Sequence, residues 1–375
     1  MGMRITSLSF RGFRSYSRYD LNDIGPLTVL VGRNGVGKTN VLEGISLVTS
    51  ASSFRHPQIA QLIKWGEESA RVSARMADGM RDIETALFLE PGKKRYTVNG
   101  KGKATADVRG ILPAVSFVPD DLEIAKRSSS VRRNALDALG SQISRNYHVV
   151  HGDFEKALRY KNRLLKEEAP DALVEAMNET FLTCAAQLYC YRHALYRKMM
   201  PMVESRYHEI AQSGEPFGAS YLPSWDYLNN GEQDPGLAGF DGGETPDRDV
   251  VRDNLERAMA QHGGEERRRR RSLVGPHNDK LGFYLDGNNA ADFASQGQQR
   301  SIVLSWKLAE VEVVRQTLGT NPVLLLDDVM SELDTSRRAM LLKNVGSEVQ
   351  TFITSTDLSP FDSSLLSRAD VVELG

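Results

Sequence analysis

The stretch "LTVLVGRNGVGKTNVLEGISLV" confines this chain to a small set of folds. Its apolar run "LTVLV" reads as a strand buried on both faces of a parallel sheet. Gly32, Gly37, Lys38 and Thr39 follow in the G-x4-G-K-[ST] spacing, with Gly35 inside the loop, and an apolar-periodic helix comes next. That strand–loop–helix context predicts a phosphate-binding loop. Its glycines let backbone N–H groups converge on phosphate oxygens without Cβ obstruction. The helix N-terminus adds positive potential. Lys38 is placed to reach the outer phosphates of ATP, and the Thr39 hydroxyl to ligate Mg²⁺.

A second apolar run, "PVLLLDDV", ends in Asp327 and Asp328. In a phosphate-loop fold such acids stand at the carboxyl edge of the sheet, beside Thr39 and the metal. Asp327 suits Mg²⁺, directly or through water. Asp328 then faces the γ-phosphate and is the candidate general base that orients the attacking water. Upstream lies "ASQGQQR" at 294–300, before the helical run "SIVLSWKLAEVEVV". A small, polar, glycine-containing run at a helix start can hold an anion, or can simply cap the helix.

The texture between these motifs changes along the chain. "RITSLSFRGFRSYSRYDL", "RVSARM", "DIETALFL" and "RYTVNGK" read as strands, with Asn99-Gly100 as a hairpin turn. From about 130 to 212 the pattern is helical. Met177, Phe181, Cys184, Leu188, Tyr191, Leu195, Met199 and Met202 recur at spacings of three and four, and Pro201 is expected to kink or end that helix. Residues 229–249 read as an acidic, exposed loop. With 375 residues, two domains are expected: a head of 1–125 plus 268–375, and an inserted helical subdomain of 126–267.

The net charge of −2 excludes a uniformly basic nucleic-acid binder, so any such surface must be local. Candidate patches are Lys93-Lys94-Arg95, Lys101 with Lys103, Arg132-Arg133, the Arg159–Lys166 stretch and Arg267–Arg271. No apolar run reaches the roughly 18 residues a membrane span needs. Cys184 and Cys190 match neither a zinc spacing nor a disulfide framework. The expectation is a reduced, cytoplasmic protein that does not enter a membrane.

The order of phosphate loop, "SQGQQ" and "LLLDD" followed by "SELD" resembles ATP-binding-cassette heads. A transporter motor would carry a glutamine loop and a switch histidine; here Val115 and Thr356 stand in those slots. Over almost its full length the chain is similar to the RecF family of bacterial DNA replication and repair proteins. "FRGFRSY", "VLVGRNGVGKTNVLEGI", "RGILPAVSFVPDDL", "YKNRLLK", "LVGPHNDKL", "ASQGQQR", "LLLDDVMSELD" and "FITSTDL" carry the resemblance. Where the family usually has Arg after "GPH", this chain has Asn278. The resemblance implies an α/β fold: an ABC-type P-loop ATPase head (lobe I) with an inserted helical subdomain (lobe II) and no long coiled-coil arm. It implies that Ser295, Gly297 and Gln298 cap the γ-phosphate of ATP held by a second subunit. Arg14 and Asn34 would lie near the nucleotide, and Asp334 would signal across the dimer. It further implies an ATP-dependent homodimer that binds DNA, duplex or single-strand/duplex junction, without sequence preference. Hydrolysis would be weak, with RecR and RecO as partner proteins. Asp328, where related ATPases more often carry Glu, is shorter by a methylene and fits slow turnover. The competing reading is an ATP-gated protein-assembly module with little affinity for DNA.

Overall fold

The computed structural model describes residues 2–211, 214–230, 244–344 and 348–375; most of the expected acidic loop lies outside the described residues. The chain forms two compact units, Met1–Asp121 with Glu310–Gly375, and Leu122–Ala309.

The first unit contains two sheets. Strands β1 (Arg4–Phe13), β2 (Tyr16–Leu21), β4 (Ala70–Ala77), β5 (Asp82–Glu90), β6 (Lys93–Val98) and β7 (Lys101–Lys103) form an antiparallel sheet in the order β2-β1-β4-β5-β6-β7. Ile5 and Leu8 are three residues apart, yet both are buried. A register shift between Ile5 and Ser7 makes this possible, because one extra residue restores the two-residue alternation to the core face. Asn99 and Gly100, with φ of 49° and 75°, close the β6–β7 hairpin as a two-residue turn requires.

The second sheet is parallel. Its order is β14 (Asp370–Glu373), β3 (Leu27–Val31), β13 (Thr351–Ser355), β12 (Val323–Asp327) and β8 (Ala114–Phe117). Helix α1 (Lys38–Thr49) buries Val41, Leu42, Ile45, Leu47 and Val48, and from Val41 to Thr49 every residue is buried. Such a helix must be covered on every side, and α1 makes contacts with strands of both sheets. Gly44 permits the closest approach: a Cβ there would lie 2.2 Å from a ring carbon of the fully buried Phe10.

The second unit is mainly helical, with helices Ser129–Ile143, Arg145–Lys166, Asp171–Ala211 and Arg248–Arg269. Phe181, Leu188, Leu195 and Met199 of the expected stripe are buried. Pro201 does not end the helix, which runs through it to Ala211. A three-stranded antiparallel sheet joins β9 (Phe217–Leu222), β10 (Lys280–Leu285) and β11 (Asn288–Asn289). Pairing of β10 with β9 along their length explains why 268–309 falls in this unit, whereas the sequence placed the return to the head at 268.

Polar residues organise this unit's core. Asp137 accepts two hydrogen bonds from Arg192 (2.9 and 2.8 Å) and one from the Tyr147 hydroxyl (2.6 Å), with all three residues buried. His277, from "GPH", lies against the rings of Phe154 and Phe181 at 6.0 and 6.2 Å, its Nε2 3.3 Å from the Ser272 carbonyl. Asn278 donates to the Leu273 carbonyl (2.8 Å) and so braces the same turn. Burial pushes the His277 imidazole down to about 4, and the charge of Lys161 acts the same way.

An unfolded chain therefore takes up the His277 proton first, at about 6.5. Stability should fall as pH drops from there toward the folded value, and the loss is complete below it. Urea unfolding across this window should show His277→Gln losing up to one proton's worth of slope, about 1.4 kcal/mol per pH unit. An unchanged slope would contradict the buried neutral imidazole.

Candidate active site

Parallel strands deliver their C-terminal ends to one edge of a sheet. Here β13 lies between β3 and β12, with Ser355 level with Val31 and Thr354 level with Asp327. The phosphate loop leaves β3 at that edge, tied down by the Gly32 amide, which donates to the Ser355 carbonyl (3.2 Å). Gly35 and Gly37 take φ of 83° and 116°. A Cβ on Gly37 would also stand 2.7 Å from the Ser15 and Tyr16 hydroxyl oxygens, so no side chain fits. Lys38 Nζ curls back to donate to the carbonyls of Gly32 (2.6 Å) and Arg33 (3.0 Å), while Asn34 is exposed in the loop.

The acids meet this loop through a short hydrogen-bond chain. Thr39 Oγ1 donates to Asp327 Oδ1 (2.8 Å), and Thr354 Oγ1 donates to the same oxygen (2.8 Å). The Asp328 amide in turn donates to Thr354 Oγ1 (2.9 Å). Asp328 sits at φ 54°, in the left-handed region that a non-glycine residue rarely adopts. Its Oδ1 is buried without a hydrogen-bond partner. Burial pushes its carboxyl up, Lys38 opposes this and the charge of Asp327 adds to it. A hydroxyl and a carboxylate oxygen held 2.8 Å apart fit the hard oxygen donors Mg²⁺ selects when phosphates and water complete its shell. The orphaned Asp328 oxygen fits a donor such as a water molecule.

Arg14 is held from behind α1. Its Nε and Nη2 donate to the two oxygens of Glu43 (2.8 and 2.7 Å), and its Nη1 donates to the Gln61 carbonyl (2.9 Å). Glu43 is fully buried and also accepts from the Ser53 hydroxyl (2.6 Å), with Arg55 at 3.7 Å. Sequence reasoning missed both Glu43 and Thr354. Glu43 interrupts an apolar run ("VLEGI"), and that interruption was the available signal; Thr354 lies in "TFITS" among other hydroxyl residues and carried none. Val115 lies inside β8 and is buried, so its side chain serves the core. Thr356 donates to Asp357 (3.3 Å) in the loop after β13. Asp334 accepts from the Arg337 amide (3.0 Å) and the Ser336 hydroxyl (2.7 Å), bonds that hold its carboxyl down at about 2.

The "SQGQ" residues belong to the second unit and begin the helix Gln296–Leu318. The Ser295 amide donates to Gln298 Oε1 (2.7 Å), and the Gln298 amide donates to Ser295 Oγ (3.2 Å). This is a capping box. Gln298 also donates to Glu215 (2.8 Å). The box leaves the Ser295 hydroxyl proton available, and a helix does not itself satisfy the amides of its first residues, Gln296 and Gly297. Cap and anion holder are therefore compatible roles.

Some residues of the expected basic patches are buried or paired, while Arg159, Arg163, Lys166, Arg268 and Arg271 stay exposed. Arg132 is buried, donating to the carbonyls of Leu281 (2.7 Å) and Ile124 (2.8 Å), and Arg133 donates to the Asp279 carbonyl. Lys161 is fully buried against Glu266 (2.8 Å). Arg267, Arg269 and Arg270 pair with Asp171, Glu265 and Glu168. Lys93, Arg95, Lys101 and Lys103 remain exposed on the β6–β7 hairpin.

The family model described as the RecF/RecN/SMC N-terminal domain matches residues 4–365. A DNA replication and repair protein RecF from Gloeobacter violaceus is 35% identical over 379 residues, covering 99% of this chain and 97% of its own length. One from Symbiobacterium thermophilum is 37% identical over 361 residues, covering 95% and 92%. A solved structure of the recombination mediator protein RecF with ATP, from the RecFOR pathway, has a TM-score of 0.84 at 30% identity, covering 96% of this chain and 94% of its own. An SMC head bound to the C-terminal winged-helix domain of ScpA has a TM-score of 0.52 at 16% identity and bears on the fold alone.

The Glu43 carboxylate should be expensive to lose. Glu43→Ala leaves the half-buried Arg14 guanidinium and the Ser53 hydroxyl without their acceptor, and should cost about 3–5 kcal/mol. Glu43→Gln keeps one acceptor oxygen and should cost less. Urea unfolding checks both, and a surface-like effect below about 0.5 kcal/mol for the alanine variant would remove Glu43 from this role.

Proposed function

This chain belongs to the RecF family within the RecF/RecN/SMC group, and from that premise we propose that it is an ATP-switched DNA-binding protein of recombinational repair and replication. The observation that carries the nucleotide part is the hydrogen-bond chain from Thr39 through Asp327 and Thr354 to Asp328. It supports reading this sheet edge as a phosphate cradle with a metal-binding pair and an acceptor for a water proton beside it. The fold, the ATP-bound relative and the family name support the reading.

In this reading the loop amides and Lys38 bind the β- and γ-phosphates. Lys38 exchanges its two loop carbonyls for phosphate oxygens. Thr39 and Asp327 hold Mg²⁺, which when bound neutralises phosphate charge. Asp328 Oδ1 orients the attacking water and takes its proton; the raised carboxyl makes it a better acceptor than an ordinary aspartate. Arg14, set by Glu43, and Asn34 flank the nucleotide. Ser295, Gly297 and Gln298 supply a hydroxyl and helix-start amides to the γ-phosphate of a second subunit's ATP. Asp334 signals across that interface. ATP then becomes an interfacial ligand, and dimerisation is linked to the γ-phosphate by mass action. The dimer clamps DNA through phosphate contacts, weakening with salt and indifferent to sequence. RecR and RecO are the mediator partners, and slow hydrolysis resets the dimer in a cytoplasmic protein.

A second reading is a protein-assembly switch without DNA affinity. The acidic partners of Arg267, Arg269 and Arg270 favour it, because they reduce the cations left for a nucleic acid.

Two substitutions test the mechanism. Ser295→Arg should bind ATP normally but remain monomeric with ATP-Mg²⁺, as read by light scattering after size exclusion. ATP-dependent dimers at the wild-type level would remove the "SQGQ" loop from the interface. Asp328→Asn should still dimerise, with phosphate release slowed about 10²–10⁴-fold. Turnover at the wild-type rate would assign the general base elsewhere.

A further inference from the structure

The residues just before the "SQGQ" loop leave an acid and an aromatic ring in solvent. Asp292 and Phe293 end the short helix Ala290–Phe293. Phe293 is 72% exposed, more than any other large apolar side chain described in the second unit. Asp292 is exposed, and its side chain makes no hydrogen bond or ion pair among the described residues. An acid in the first turn of a helix is favourable by itself, but nothing in the fold requires a solvated phenyl ring beside it. The connecting Ala294 is extended, at φ −69° and ψ 131°, and two residues of extended chain span at most about 7 Å. Phe293 therefore lies close to whatever the Ser295 hydroxyl touches. The phosphate loop carries a cation in the same condition. The Arg33 carbonyl accepts from Lys38 Nζ (3.0 Å), while Arg33 itself is exposed, with no side-chain hydrogen bond or ion pair among the described residues.

We propose that Asp292 and Phe293 dock on Arg33 of a second copy of this chain. The inference rests on the reading in which Ser295 reaches the γ-phosphate of a second subunit's ATP, since that contact brings the two stretches together. The Asp292 carboxylate pairs with the guanidinium, and the phenyl ring covers it and excludes water, which strengthens the pair. The chain already uses such a contact within one copy, where the guanidinium groups of Arg71 and Arg95 stand over the Phe88 ring at 5.0 and 5.2 Å. In a two-fold dimer the contact forms twice. Its role differs from that of Ser295. Ser295 senses the γ-phosphate, whereas Asp292 and Phe293 recognise the partner chain itself, and so set how tightly and with which chain the nucleotide-bound form pairs.

Energy transfer between donor-labelled and acceptor-labelled full chains, with ATP-Mg²⁺ saturating for each variant, tests this. Phe293→Ala should weaken the dimer about tenfold to a hundredfold, the range for burying such a ring. Asp292→Lys and Arg33→Glu should each weaken their own dimers about tenfold, because like charges then face one another at both contacts. Mixing the Asp292→Lys protein with the Arg33→Glu protein should restore mixed dimers to within about threefold of wild type, since each contact again joins opposite charges. A residue that only supports the fold of its own copy cannot produce that rescue. All three positions are exposed, so the substitutions leave the core intact. The wild-type dissociation constant in Phe293→Ala would overturn the proposal. So would mixed dimers no tighter than those of either variant alone. In both cases the wild-type chain still pairs with ATP, and only this inference is lost. Wild-type copies that fail to associate with ATP would instead remove the dimer reading, and the inference with it.

Discussion

Everything at the nucleotide edge depends on one oxygen. Asp327 Oδ1 accepts from the hydroxyls of Thr39 and Thr354, so the helix after the phosphate loop is tied to β12 across the strand that separates β3 from β12. Because β13 intervenes, neither β3 nor β12 could hold the other's loop through its own backbone pairing. The Thr354 hydroxyl closes the gap. It donates to Asp327 and accepts from the Asp328 amide, fixing the two acids relative to one another. Asp328 is thereby held at a positive φ with one oxygen unsatisfied. Strain and unsatisfied groups concentrate where a protein acts, because only there does a later partner compensate them.

The rear of the site shows the same economy on a larger scale. A fully buried carboxylate on a buried helix is tolerated because Glu43 has a bidentate guanidinium and a hydroxyl as partners. Removing one partner of such a pair costs far more than the pair contributes. The network runs from Arg14, just after β1, through Glu43 of α1 to Ser53. Packing of α1 against both sheets, with Gly44 pressed to Phe10, leaves this helix little room to move independently.

The phosphate loop, the two terminal acids and most strands were legible in the sequence, because each is local. A glycine spacing, an apolar run and an Asn-Gly turn carry their own geometry. Long-range pairing is not written in that way. Thr354 and Glu43 gained their roles only when strands distant in sequence were brought side by side. Charge runs misled for the same reason: Arg132 and Lys161 look like solvated surface until carbonyls and Glu266 close over them. Pro201 was expected to kink or end its helix; the helix does not end there and continues through it among the buried Met199, Met200 and Val203. The edge between units moved because β10 pairs with β9, a contact no window of sequence displays. "SQGQ" could be read as a cap or as an anion holder, and its geometry accommodates both.

The proposed switch requires that nucleotide state govern contact with DNA. The direct measurement is fluorescence anisotropy of a labelled duplex titrated with the full chain, with ATP-Mg²⁺, with ADP-Mg²⁺ and without nucleotide, at two salt concentrations. Tight binding is expected only with ATP, weakening steeply as salt rises. Binding that is absent, or the same in all three nucleotide states, would contradict it and leave the protein-assembly reading in its place.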